Sequence, residues 1–274
     1  MTSDADEDYP TLEIDELAET RSGLHAFARL LGVYTSACAP PRKHWWHSSL
    51  QPAVDGFRTG VLRAGGQLFE VVLDFRSLAV GLSIPGLEDR WFPVEGESAM
   101  SIKDKLTLAL SRGSVSVELD EARLSHQRHD VDPDCAVRLG RVYGHLAQCF
   151  ARVRSGIAAE TSPIQLWPHH FDLAMLVLSG RKIPGQDPED EEYSDEQLNM
   201  GFVPGDEGIG EPYIFVTHYP YAERLEATRL APGAYFHTQG WSGIVMPYAA
   251  FRENKQPEAA LIGMLRSAWT VSNA

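Results

Sequence analysis

Apolar residues recur along this chain with two periods, and the switches between them lay out its elements. Leu24, Phe27, Ala28 and Leu31 fall three and four apart, the spacing of one helical face, and predict a helix from Asp15 onward. It must stop by Pro40-Pro41, because proline lacks an amide donor and disfavours helix in the residue before it. Phe69, Val71, Leu73 and Phe75 then alternate with polar positions, as do Leu78, Val80, Leu82 and Ile84, which predicts a hairpin of strands with one buried face each. Ile102, Leu106, Ala109 and Leu110 return to helical spacing and end near Gly113. Val115, Val117 and Leu119 predict a short strand after it.

The order then repeats. Leu139, Val142, Tyr143, Leu146, Phe150 and Val153 predict a helix that gives way before Ser162-Pro163. The segment WPHHFDLAMLVL follows with an apolar, strand-like end, Tyr213, Phe215, Thr217 and Tyr219 alternate, and Leu261, Leu265, Ala268 and Trp269 predict a last helix starting at Pro257. Helix, proline stop, Trp-His segment, strands and closing helix thus occur twice, with Trp45-Trp46-His47 standing where Trp167-Pro168-His169 stands later. The expectation is an α+β fold of two similar halves, each with helices packed on antiparallel strands and related by a pseudo-twofold duplication. The boundaries are an acidic flexible N-terminus over 1–14, an N-terminal half over 15–130 and a C-terminal half over 131–274 that holds the candidate site.

Composition narrows the partners. At 274 residues the core needs no disulfide, and Cys38, Cys135 and Cys149 show no CxxC spacing, as suits a reducing compartment. The net charge of -14 comes from eight acids within residues 1–20 and seven within 187–196; the remaining 23 acids face 24 basic residues. A near-neutral body with acidic appendages has no basic stripe for nucleic acid or anionic lipid, so neither is expected as a partner. The start of the chain is acidic where a signal peptide is basic then apolar, and no run of about 20 apolar residues could span a bilayer. The expected location is cytoplasmic, the expected partner a small-molecule substrate, and the oligomeric state is left open. Both acidic segments, residues 1–10 and 186–193, are expected to be mobile.

No GxxxxGK[ST], GxSxG, HExxH or GxGxxG signature is present, which lowers the weight of the common nucleotide and hydrolase classes. The densest chemistry is His169, His170 and Asp172. On an extended strand His170 and Asp172 point to one face, and a further histidine would complete a two-His, one-carboxylate set for a divalent metal. His237 in YFHTQGW is the expected third ligand and His218 its substitute. Fe(II) at these ligands would suit oxidation and zinc would suit hydrolysis. The same His170–Asp172 pair serves equally as a structural hydrogen-bonded couple, or as a metal-free acid/base pair. Asp206, Glu207 and Glu211 lie on glycine-rich turns, and Glu211, just before an apolar strand, is the expected proton carrier together with His169. Trp46, His47, Trp167 and Trp241 are candidate walls for a substrate, or core aromatics whose indole N–H groups need partners. The leading function is therefore a metal-dependent enzyme on a small organic molecule. The alternatives are a metal-free binding protein with structural histidines, and an interaction protein that uses its acidic tail.

HWWHSSL, SPIQLWPHHFDLAMLVLSGRK, EEYSDEQLNMGFVPGD and IVMPYAAFR, in that order, resemble the bacterial domain-of-unknown-function family 5996, from about His44 to Trp269. The match falls on His44 to Trp46, Ser162-Pro163, Phe171 to Ala174, Ser179 to Arg181, Tyr193-Ser194, Pro204-Gly205 and Pro247-Tyr248. The resemblance implies no established activity. It includes Asp172 but implies small residues at His169 and His170, which would make those two histidines a subgroup trait or incidental.

Overall fold

The computed structural model describes residues 8–190 and 192–273. The fold is α+β with two antiparallel sheets, and the chain divides into two compact units that are not its two sequential halves. The first takes Leu12–Gly144 and Gln165–Phe171; the second takes the N-terminal residues through Thr11, His145–Ile164 and Asp172–Ala274.

In the first unit α1 (Ile14–Cys38) buries Leu24, Phe27, Ala28 and Leu31 completely, and each of the three large side chains stabilises the fold by about 1.5–3 kcal/mol. Ala39 turns extended ahead of Pro40, as the residue before a proline must, and ends the helix. A meander follows: β1 (Gln51–Ala53), β2 (Gly56–Arg58), β3 (Leu62–Ala64), β4 (Gln67–Asp74), β5 (Ala79–Ser83) and β6 (Arg90–Pro93), in sheet order β1-β2-β4-β5-β6 with β3 on β4. The expected hairpin is β4 and β5. α2 (Ala99–Arg112) opens on a capping box between Ser98 and Ser101 and closes on Gly113, as its pattern predicts. Residues 115–119 form no strand, because alternation makes a pleat only where a neighbouring edge completes the ladder and none does here. α3 (Pro133–Arg154) starts in this unit and buries all six residues of its predicted stripe. The chain then makes β7 (Glu160–Thr161) in the second unit, returns for β8 (Gln165–Trp167) and a turn to Phe171, and leaves again at Asp172. Gly32 on α1 seats that turn: a Cβ there would stand 2.7 Å from Pro168 Cβ.

The second unit is built on a sheet of order β12-β13-β11-β10-β9-β7, with β9 (Asp172–Lys182), β10 (Asp195–Val203), β11 (Tyr213–Tyr219), β12 (Tyr235–His237) and β13 (Gly243–Pro247). One face, from Leu173, Met175 and Val177 through Leu198, Met200 and Phe202 to Ile214, Val216, Ile244 and Met246, is buried core. α5 (Pro257–Ser272) packs on it at β10 and β11, after α4 (Tyr248–Glu253), whose Tyr248 meets Phe202 edge-on at 5.9 Å. The other face sets the polar and aromatic side chains of Asp172, Gln197, Asn199, Tyr213 and Phe215 among buried Ala174, Leu178, Val203 and Val245.

The duplication is not confirmed. The first sheet adds its main strands in chain order, whereas in the second β13 inserts between β12 and β11.

The acidic segments differ from expectation where they are described. Residues 1–7 lie outside the described residues, but Tyr9 is buried edge-on to Phe251 at 4.8 Å, and the Pro10 carbonyl accepts from the Tyr248 hydroxyl at 2.8 Å. In the second segment Glu191 lies outside them, while Asp187 and Asp190 accept backbone N–H groups of Glu189, Glu192 and Tyr193 and fold it into turns. Among the described residues no helix is long and apolar enough to cross a membrane.

Candidate functional site

The polar face of the C-terminal sheet starts at Asp172. Phe171 N–H bonds the Trp167 carbonyl at 2.8 Å and its backbone is left-handed (φ 60), so the turn through Pro168, His169 and His170 closes there and the strand opens on Asp172. Asp172 is 7 % exposed, and its Oδ1 is buried without a hydrogen-bond partner. Burial pushes its carboxyl up to about 7, opposed only by its own backbone N–H. An unsatisfied buried polar atom costs about 1–3 kcal/mol, so the position is held against a stability penalty.

The ladder registers set its neighbours. Gly201 lies opposite Ala174 on one side and Phe215 on the other, and Asn199 opposite Leu176 and Thr217. A Cβ on Gly201 would stand 2.6 Å from Phe215 Cζ and 2.8 Å from Ala174 Cβ, so the phenyl ring lies across the glycine. Asn199 Oδ1 and Gln197 Oε1 on the same face are, like Asp172 Oδ1, buried acceptors without a partner. Tyr213 donates to Asp206 Oδ2 at 2.6 Å, and Asp206 Oδ1 accepts from the N–H groups of Gly208 and Ile209 at 2.7 and 2.8 Å. That latch packs Ile209 with Phe215 and Trp241 onto a buried cluster of Val203, Tyr213 and Val245. Burial first, and then the Asp206 carboxylate, hold the Tyr213 phenol above its usual range, so it stays a donor.

The sequence-predicted residues are dispersed. His170 and Asp172 do not share a strand face, because His170 belongs to the turn and the left-handed Phe171 interrupts the alternation. Asp172 on β9 and His237 on β12 stand four strands apart, roughly 19 Å at the usual strand spacing, so they do not share a metal ion. His237 Nε2 donates to the Gln239 carbonyl at 2.8 Å and its ring packs on Trp241 at 4.6 Å. His218, the substitute, faces the core side, with Nδ1 on the Tyr221 carbonyl and Nε2 3.5 Å from Glu196. Among the described residues no three His, Cys, Asp or Glu side chains gather as metal ligands.

Of the expected proton carriers, Glu211 is half-buried at the foot of β11, and the acid of that loop that engages the face is Asp206. His169 is exposed, its ring 4.3 Å from that of His170, in the first unit. Trp46, His47 and Trp167 are in the first unit too; Trp241 alone of the expected walls lies on the polar face. Sequence reading passed over Asn199 and Gln197, although two amides at alternate positions, leading into the apolar end of the strand, are its visible signal.

A cleft of about 810 Å³ in the second unit lies elsewhere, between Tyr9, the end of α3 and the start of α5. Its central polar groups are matched to one another: Tyr9 donates to Glu258 at 2.9 Å, Arg152 pairs with Glu258, and Arg266 donates to the Arg152 carbonyl at 3.2 Å. Volume favours this cleft, but unmatched buried chemistry favours the face of Asp172, and the chemistry decides.

A family model described as "Family of unknown function (DUF5996)" matches residues 9–274, and the chain belongs to that family. No curated protein and no solved structure matches the chain.

Proposed function

We propose that the protein binds a small, planar, hydrogen-bond-donating organic molecule on the polar face of its C-terminal sheet, without a metal, and that Asp172 is the group that recognises it. The observation that carries this reading is the buried, unpartnered Asp172 Oδ1 on a carboxyl that titrates near neutrality. Asn199 Oδ1 and Gln197 Oε1 add acceptors, which suits a ligand that brings N–H or O–H donors. Phe215, Tyr213 and Trp241 supply aromatic surface to a flat molecule. A carboxyl that titrates near 7 also exchanges a proton readily with what it holds, so general acid–base chemistry on the ligand belongs to the same reading.

Benzamidine and benzamide serve as probes, one a cationic donor and one neutral. Titrated at pH 8 into ¹⁵N-labelled protein, benzamidine should shift the amides of Asp172, Asn199 and Tyr213, and Asp172→Asn should weaken it at least about tenfold, the equivalent of 1.4 kcal/mol. Benzamide, which needs only an acceptor, should lose less. Equal benzamidine affinity in the two proteins, or shifts confined to other regions, would sink the proposal.

A further inference from the structure

The HWWH loop of the first unit carries a separate set of buried polar atoms without partners, and these are donors. Within Lys43–Ser48 the backbones of His44 (φ 51) and Trp45 (φ 57) are both left-handed, a conformation that non-glycine residues hold rarely and that clusters at ligand sites. The turn sends Trp45 outward, 58 % exposed, and Trp46 inward, 7 % exposed. The Trp46 indole Nε1–H, a donor with no acceptor capacity, is buried and unpartnered. The Ser49 hydroxyl lies 2.8 Å from the Trp46 carbonyl and 2.7 Å from Gln165 Oε1. That contact holds the Gln165 amide by its oxygen, and leaves its Nε2, also buried, without an acceptor. Above the indole stand two cations, the Arg42 guanidinium 5.8 Å and the Lys43 ammonium 5.7 Å from the ring centroid.

Two buried N–H donors on residues joined through the Ser49 hydroxyl, one of them with two cations over its ring, suit an anion with two acceptor oxygens. We infer that this corner of the first unit binds a small carboxylate, whose oxygens accept from Trp46 Nε1 and Gln165 Nε2 while Arg42 and Lys43 compensate its charge. A planar carboxylate fits two single N–H donors better than a tetrahedral phosphate, which would keep acceptor oxygens unmatched. The Arg42 N–H donates to His47 Nδ1 at 3.2 Å and ties the loop that presents both cations. None of these residues belongs to the Asp172 face, so the two proposals stand or fall separately.

The test uses the full chain labelled with ¹⁵N, with the Trp46 indole resonance assigned by its loss in Trp46→Phe. Benzoate should move that resonance downfield and saturably, and inorganic phosphate at equal concentration should move it at least tenfold more weakly. Gln165→Leu and Arg42→Ser should each weaken benzoate at least tenfold. Arg42 is exposed, so its variant keeps the test valid where the Gln165 variant unfolds. Three results overturn the inference: a Trp46 resonance that benzoate leaves in place, phosphate binding as tight as benzoate, or unchanged benzoate affinity in Arg42→Ser.

Discussion

Two carboxyl groups are buried on the C-terminal sheet, Asp172 at 7 % exposure and Glu196 at 3 %, and the fold treats them in opposite ways. Glu196 lies on β10 with Arg181 Nε at 3.1 Å, Arg224 Nη1 at 3.1 Å and His218 Nε2 at 3.5 Å. Both arginines also donate to the Ser272 carbonyl at the end of α5, at 3.2 and 3.1 Å. Burial pushes the Glu196 carboxyl up, but Arg181 and Arg224 outweigh it and hold the group below its ordinary range. The Asp172 carboxyl is enclosed more completely, has no cation beside it and rises to about 7. Deeper enclosure and the missing counter-charge together separate Asp172 from Glu196. Glu196 is a clamp that fastens α5 to the sheet, and Asp172 is a group left available.

The contrast can be broken in several ways. The largest effect is expected in the pH dependence of stability. Asp172 holds its proton in the fold up to about 7 but loses it near 3.8 when unfolded, so its contribution to stability falls as pH rises through that window. Between pH 5 and pH 8 the parent should lose about 3 kcal/mol relative to Asp172→Asn, read from urea midpoints of the two proteins. Parallel pH profiles would mean that the carboxyl is ordinary.

Glu196→Ala should destabilise at every neutral pH by about 2–3 kcal/mol, below the usual cost of breaking a fully buried pair because its arginines reach solvent. The sign of its pH dependence is the reverse of that of Asp172. The lowered Glu196 carboxyl stabilises the fold above its unfolded pKa, near 4.5, and that stability is lost as pH falls through the folded value. An Ala variant as stable as the parent at pH 7 would show the clamp to be idle. The smallest effect is Tyr213→Phe, which frees the Asp206 latch and should cost about 1 kcal/mol, with faster amide exchange at Gly208 and Ile209 as the local reading. Unchanged exchange there would remove the latch from the account.

What could be read from the sequence was local. The stripe of α3, the α2 stop at Gly113, the hairpin of β4 and β5 and the proline start of α5 all follow from period and punctuation. The metal triad failed because its geometry was not local. One left-handed residue, Phe171, turned His170 out of the strand, and the strand order placed His237 four strands from Asp172. Asp172 was singled out correctly as a residue, but for a partner set that the sheet does not assemble. The interleaving of the units was equally hidden, since nothing in the alternation after Asp172 tells that Gln165–Phe171 belongs with Leu12–Gly144. Asp206 was passed over for Glu211 because its value comes from Tyr213, seven residues on, and from backbone N–H groups that a turn gathers.

The central claim is that Asp172 is a buried carboxyl without a counter-charge that exchanges its proton near neutrality. Its most direct measurement is the ¹³C chemical shift of the Asp172 side-chain carboxyl across pH 3 to 9, assigned by its absence in Asp172→Asn. The account predicts a single transition with a midpoint near 7. It also predicts that benzamidine draws this midpoint downward, as a bound cation must. A midpoint near 4, the ordinary value for an aspartate, would contradict it.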